Sequence, residues 1–305
     1  MANGMPTPRR RRPGRFWPGL QPYLLVLPAL LLIGGVVVYP LISNLIFSLQ
    51  TDYRAIQQGA TEWVGLANYR AAWGQGILQI SVQNSFLFTT SCVALSFVLG
   101  FVTALLLNEL ARAQTIYRVL IVLPWIVAPV IAGFTWRWLL NDQFGYLNRA
   151  LLSLGIIRQE VVWLGDTQLA MVAIIIAGTW RLFPFVTIML LAGLQTVSQE
   201  LLEAAEIDGA SMWQKFVSVT VPQVRSVITV VILLTFIWMF NEFGIVQIMT
   251  QGGPLQSTMV LPVLIRSLTF KFMRMGTASA LSVMLAAILL VLSVIYLRFM
   301  EREAN

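Results

Sequence analysis

The chain has 305 residues, of which 58% are hydrophobic and 11% charged, with a net charge of +7 and a mean hydropathy of +0.78. That balance excludes a soluble domain with a polar surface and places the chain in a bilayer. With no histidine and a single cysteine, Cys92, it lacks the usual zinc and copper ligands and any intrachain disulfide, which argues against metal chemistry.

A helix needs about 20 apolar residues to cross the hydrocarbon. Runs long enough predict six spans, near 22–49, 83–107, 118–140, 168–194, 225–249 and 276–299. The expected fold is all-α and polytopic, with a basic tail over 1–19 and a membrane domain over 20–305. The tail carries Arg9, Arg10, Arg11, Arg12 and Arg15 among prolines, a cytoplasmic anchor rather than a nucleic-acid site. The apolar run after it is too long for a cleavable signal and lacks a cleavage site. With six spans, both chain ends then lie in the cytoplasm.

Span one runs from Leu27-Pro28 through Tyr39-Pro40 to Ser48, and Val64 to Tyr69 read as a turn beyond it. Span two opens at Asn84-Ser85 and is lined with small residues (Ala94, Ser96, Gly100, Thr103, Ala104) that permit close helix contact. Pro124 and Pro129 should bend span three, which leaves the bilayer through Trp136-Arg137-Trp138, an interface anchor. Phe144 to Asn148 then open an external segment with a short apolar helix around Ala150 to Leu154.

Spans four and five each carry one intramembrane charge, Arg181 and Glu242. A charge at a helix centre costs roughly 2.5–3.5 kcal/mol on insertion scales and so faces a cavity or a partner. Arg181, Leu182 and Phe185 share one face, and Thr235, Trp238, Met239 and Glu242 share another at i, i+3, i+4 and i+7. Either these faces line a polar pathway, or the two charges neutralise one another while Phe185 and Trp238 fill a core.

The charged interlude over 195–224 is patterned as two short helices. Ser198 can cap the first, with Glu200 in its opening turn; Gly209 breaks direction. Ser211 and Gln214 form a capping box for the second, which places Met212, Phe216 and Val219 on one face and closes at Pro222. Spacing alone would suit an amphipathic connector lying on the membrane. After span five, Thr250-Gln251-Gly252-Gly253-Pro254 with Thr258 makes a turn that parity places outside, and span six opens on a small-residue face over Gly276 to Ala280. No Gly-x-x-x-x-Gly-Lys-Ser/Thr loop is present.

Glu203-Ala204-Ala205, a gap of three, Gly209, then Phe216 and Pro222 resemble the cytoplasmic coupling loop of the inner-membrane permeases of binding-protein-dependent ABC importers. The fuller pattern with Asp208 and Ala210 is similar to the carbohydrate, maltose-type branch. The opening of span one, Val64 to Tyr69, Asn84-Ser85, Arg118, Leu123-Pro124, Trp136 and Gly145-x-Leu147-Asn148 resemble the same family, so the likeness covers nearly the whole chain. Gly252-Gly253-Pro254 is similar to a family signature near the binding-protein face; Gly244 departs from the bulky or acidic residue of many relatives.

The resemblance implies a type I ABC importer permease fold in a bacterial inner membrane. It implies as partners a second permease forming a heterodimer, two ATPase subunits that bind ATP and Mg, and an extracytoplasmic solute-binding protein. In this picture the chain itself holds no cofactor and does no catalysis. Its Glu203 loop docks in an ATPase groove, and the matching faces of spans four and five touch the solute at mid-membrane. An oligosaccharide, disaccharide, polyol or glycerol phosphate fits equally. The rival readings are an ion-coupled secondary transporter and a membrane-embedded enzyme, for which few acid–base groups are present.

Overall fold

The computed structural model describes residues 21–52, 62–74, 76–109 and 114–304. The arginine-rich tail, with Arg54 and Arg112, lies outside them. The chain divides into two compact units, residues 1–46 and residues 47–305. Most of the apolar helix Tyr23–Ser48 (α1), with a π-helical stretch at Gly34–Val38, falls in the first unit.

The second unit is a helical bundle. Its elements are Ala67–Trp73 (α2), Ile77–Glu109 (α3), Gln114–Ile126 (α4), Pro129–Leu139 (α5), Tyr146–Ser153 (α6), Leu169–Leu194 (α7) and Gln199–Ile207 (α8). Met212–Lys215, a π-helical Phe216–Thr220 and Val221–Phe240 then run on as one element (α9). Gly244–Met249 (α10), Leu261–Arg266 (α11) and Met275–Ala304 (α12) complete it. Among the described residues, five helices are long and apolar enough to cross a membrane, and the pair α4 and α5 makes a sixth span if counted together.

That pair bends by 91°. The cause is local: Ala128 precedes Pro129 and must leave the helical region, and its ψ is 141°. Pro124, by contrast, stays inside α4. The expected bend therefore arises at Pro129 alone.

α3 and α7 form the most extensive helix pair. Ser81, Ser85, Thr89, Cys92 and Ser96 are buried along α3, so small side chains let the partner helix approach. Gly100 shows how close it comes, because a Cβ there would sit 2.8 Å from Val186 Cγ1. Around this pair lie the largest buried side chains, Phe88, Ile174, Leu182, Leu190 and Leu191, while Leu78, Phe240, Leu261 and Leu281 make a second cluster beside α12.

Two expected span starts need correction. Span five begins at Met212, so the second coupling helix does not close at Pro222; Pro sits where its missing N–H follows a π turn and the helix continues. The same span reaches Met249 as expected, but its helix is interrupted at Asn241 to Phe243 before α10. Span two starts at Ile77, six residues before the expected 83.

Asparagines fasten the connections. Asn68 Nδ2 donates to the Ser48 and Gln50 carbonyls at 2.9 and 2.8 Å. Asn84 Nδ2 donates to Gln256 O and Met259 O, and the neighbouring Ser85 hydroxyl accepts from Leu261 N–H at 2.8 Å. Asn148 Oδ1 accepts from Trp163 Nε1–H at 2.8 Å, while its amide donates to the Asp142 and Val161 carbonyls. These bonds explain residues that periodicity alone leaves without a purpose.

Candidate functional site

The Gly209 turn forms one end of the bundle. α8 ends in a Schellman motif: Ala210 N–H reaches Ala205 O at 2.9 Å, Gly209 N–H reaches Glu206 O at 3.0 Å, and Gly209 has φ +78°. Only glycine adopts that conformation cheaply, so the direction change is specified by one residue. The capping box follows as expected, with Gln214 N–H on Ser211 Oγ and Ser211 N–H on Gln214 Oε1. Lys215 Nζ lies 3.0 Å from Glu206 Oε2 and ties the two helices across the turn.

Ser198 holds the N-cap position of α8 but makes no side-chain cap bond; its own N–H is instead bound by Gln223 Oε1 from α9. Glu203, Ala204, Asp208 and Gly209 are exposed, and Ala205 and Ala210 are half-buried. A shallow recess of about 310 Å³ is lined by Ala205, Asp208, Gly209, Ala210, Gln214 and Ser218. Ile207, Met212 and Trp213 project as exposed apolar knobs. Met212 is exposed, whereas Phe216 turns inward. Its ring contacts Trp213 at 5.6 Å and Phe101 at 5.4 Å, and Phe101 contacts Phe97 at 5.6 Å. A ladder of rings therefore runs from the tip into α3.

Mid-bundle, Arg181 and Glu242 meet at 3.7 Å, with side chains 21% and 8% exposed. Arg181 Nε also donates to Val127 O at 3.2 Å, and Glu242 Oε1 accepts the Ile245 N–H at 3.0 Å. The guanidinium therefore bridges the break in span three and the break in span five. Phe185 stacks on Trp125 at 5.6 Å and meets Trp238 at 4.7 Å. Trp238 is 43% exposed and Trp125 40%, so this trio presents an open aromatic surface.

The two predicted faces are divided. Leu182, Thr235 and Met239 are buried behind the trio, and the Thr235 hydroxyl donates to Val231 O at 2.7 Å. Periodicity does not find Trp125, because it belongs to a third helix, and only the neighbouring Pro129 signals the bend that brings it there.

The opposite end of the bundle carries the turn at Gly252, whose φ is +88°, with a cis peptide between Gly253 and Pro254. Thr258 Oγ1 donates to Gly253 O at 2.6 Å and lies 2.7 Å from Thr250 Oγ1. Beside it is a recess of about 410 Å³ lined by Arg137, Asn141, Asp142, Trp163, Thr250 and Pro254. At this end Asp166 Oδ1 accepts the N–H groups of Leu169 and Gln168, which hold its carboxyl below the ordinary 3.8.

Residues 22–302 match the family model described as "Binding-protein-dependent transport system inner membrane component". A probable ABC transporter permease protein of Brucella suis biovar 1 is 36% identical over 92% of this chain and 97% of its own length. The trehalose/maltose transport system permease protein of Thermococcus litoralis is 33% identical over 90% and 92%. A crystal structure of a bacterial ABC transporter involved in the import of the acidic polysaccharide alginate aligns with a TM-score of 0.81 over 96% of this chain and 100% of that one, at 19% identity, and so shares the type I permease fold. The chain belongs to the family of binding-protein-dependent transport system inner membrane components, the permeases of ABC transporters.

Proposed function

We propose that the chain is one of two permeases of an ATP-driven importer of a carbohydrate or related polyol. The observation that carries the reading is the Gly209 turn, a rigid projecting foot with exposed Glu203, Ala204 and Asp208 at one end of the bundle. Each foot docks on a separate ATPase subunit: Ala204 and Ala205 allow close approach, Glu203 pairs with a basic residue, and Phe216 passes the motion to α3. ATP and Mg belong to those subunits, and the permease itself holds no cofactor. Both chain ends lie in the cytoplasm, as does the foot, and the solute-binding protein delivers at the Gly252-Gly253-Pro254 end.

The solute crosses against Trp125, Phe185 and Trp238, whose rings suit the C–H face of a sugar, with Arg181 and Glu242 at the edge for hydroxyl groups and Leu182, Thr235 and Met239 as backing. The trehalose/maltose relative supports sugar as the cargo class. Alternating access is then rocking of the bundle about this surface.

The test is uptake into vesicles holding both permeases, the ATPase and the binding protein. Gly209→Asp and Glu203→Lys should abolish ATP-driven uptake; unchanged uptake sinks the coupling assignment. Trp238→Ala should shift solute preference while the ATPase still co-purifies. Uptake that collapses with an ion gradient and ignores the ATPase would instead establish a secondary transporter.

A further inference from the structure

A groove on the flank of the bundle between α2, α3 and α12 belongs to neither end and not to the aromatic surface. Its deep part, about 610 Å³, is walled by Leu78, Val82, Phe86, Leu281, Leu285 and Ile288. A shallower part of about 450 Å³ continues it toward Tyr69 and Arg70. Trp73 and Met284 border both parts, so the two form one channel with an apolar floor and a cationic mouth.

The floor lies between two helices apolar enough to cross a membrane, Ile77–Glu109 and Met275–Arg298. The mouth lies on α2, just before α3 begins, where the 64% exposed Trp73 marks the headgroup level. Its geometry is fixed: Gln79 Nε2 donates to Trp73 O at 2.8 Å, and Asn68 anchors α2 to the chain at Ser48 and Gln50.

Arg70 is exposed and has no ion pair or side-chain hydrogen bond among the described residues. Arg181 and Arg274, by contrast, are paired with Glu242 and Asp52. A guanidinium at the rim of an acyl-sized trough complements one chemistry, a phosphodiester carried on hydrocarbon. A hydrophobic helix from another protein would cover the floor and leave the cation unmatched.

We infer that this groove holds an anionic phospholipid of the surrounding bilayer, its phosphate on Arg70 and one acyl chain along α3 and α12. A zwitterionic lipid of equal chain length gains the same apolar burial but less net charge attraction, so the site discriminates by headgroup. That discrimination depends on Arg70, and occupancy depends on the floor.

The test is native mass spectrometry of the full chain, with the subunits that co-purify, titrated with phosphatidylglycerol and with phosphatidylcholine of the same chains. Wild type should retain phosphatidylglycerol severalfold over phosphatidylcholine. Arg70→Gln should bring the two lipids level, Arg70→Lys should keep the preference, and Ala287→Trp, which fills the floor, should lose both. Equal retention by wild type, or a preference that survives Arg70→Gln, overturns the inference. So does an Ala287→Trp variant that loses its partner permease yet keeps its lipid, since the groove would then be a protein interface. Arg70 is exposed, so its substitution decides the matter even where the tryptophan variant fails to fold.

Discussion

Gly244 is a position where the structure sets a penalty that sequence could not. A Cβ there would sit 2.7 Å from Pro129 Cβ and 3.3 Å from Pro129 C and Val130 N, against an ordinary carbon contact of about 3.5–4.0 Å. The obstacle is a proline ring and backbone at the break of span three, neither of which can swing away. Overpacking of this kind costs about 1–3 kcal/mol, and a valine with its two further methyls belongs at the upper end. Relief of glycine's poor helix propensity returns only a few tenths of a kcal/mol for a β-branched residue. The net loss for Gly244→Val is therefore about 2 kcal/mol, or roughly 3 °C in thermal midpoint for a chain of this length. The assay is thermal unfolding of the purified chain in detergent, followed by circular dichroism. Gly178→Ala is the companion: its nearest atoms, Cys92 Sγ, Met239 Cε and Phe88 Cζ, are side-chain ends, two of which can turn, so it should lose less. Equal midpoints for Gly244→Val and wild type, within about 1 °C, would show that α10 does not press on Pro129 as described.

Asn148→Ala strips Trp163 Nε1–H, Asp142 O and Val161 O of their partner at about 1–3 kcal/mol for each group left buried and unbonded; hydrogen exchange over 141–168 should rise while exchange in α7 is unchanged. Phe216→Ala removes the middle rung between Trp213 and Phe101, at about 2 kcal/mol because the ring is half-buried rather than enclosed; transport should fall further than ATP hydrolysis, and equal losses would deny the ladder a part in coupling. Asp166 has a depressed carboxyl, so its contribution is present above the ordinary 3.8 and is lost as pH falls through the lower folded value. Exchange at Gln168 and Leu169 should therefore quicken only below that pH, and Asp166→Asn should flatten the dependence.

Much of the fold was legible because a bilayer imposes simple rules. Length of apolar run located the helices, and the Ser211–Gln214 box and Gly209 could be read directly, since capping and a left-handed turn are chemistry of single residues. The misread places share a cause: local signals were overridden by packing. Pro222 looks like a stop, yet a π turn at Phe216–Thr220 absorbs it and α9 runs on. Phe240 to Gly244 carries no proline, so nothing local announces the break there; it exists where Glu242 turns back to cap Ile245 and Gly244 fits against Pro129. The faces of spans four and five were right as geometry on a helix, but a helix wheel does not say which neighbour covers Leu182, Thr235 and Met239 and which leaves Trp238 open.

The two breaks are one structural event. α5 and α10 are short helices that begin just after the breaks, and they pack together: Gly133 would place a Cβ 2.9 Å from Ile248 Cβ, Gly244 meets Pro129, and Arg137 donates to Ile248 O at 3.2 Å. Arg181 then fastens the pair to α7 through Val127 O and Glu242. A buried ion pair gains little net stability over apolar packing, because desolvation offsets its attraction, but breaking one side leaves an uncompensated charge. Its value here lies in holding two interrupted helices at one height on a third. α9 reaches this assembly directly from the Gly209 foot, continuous from Met212 to Phe240 apart from the π turn. In the proposed coupling, a displacement of the foot along α9 would arrive at the break beside Glu242, next to Trp238, where the helix is already interrupted at Asn241 to Phe243.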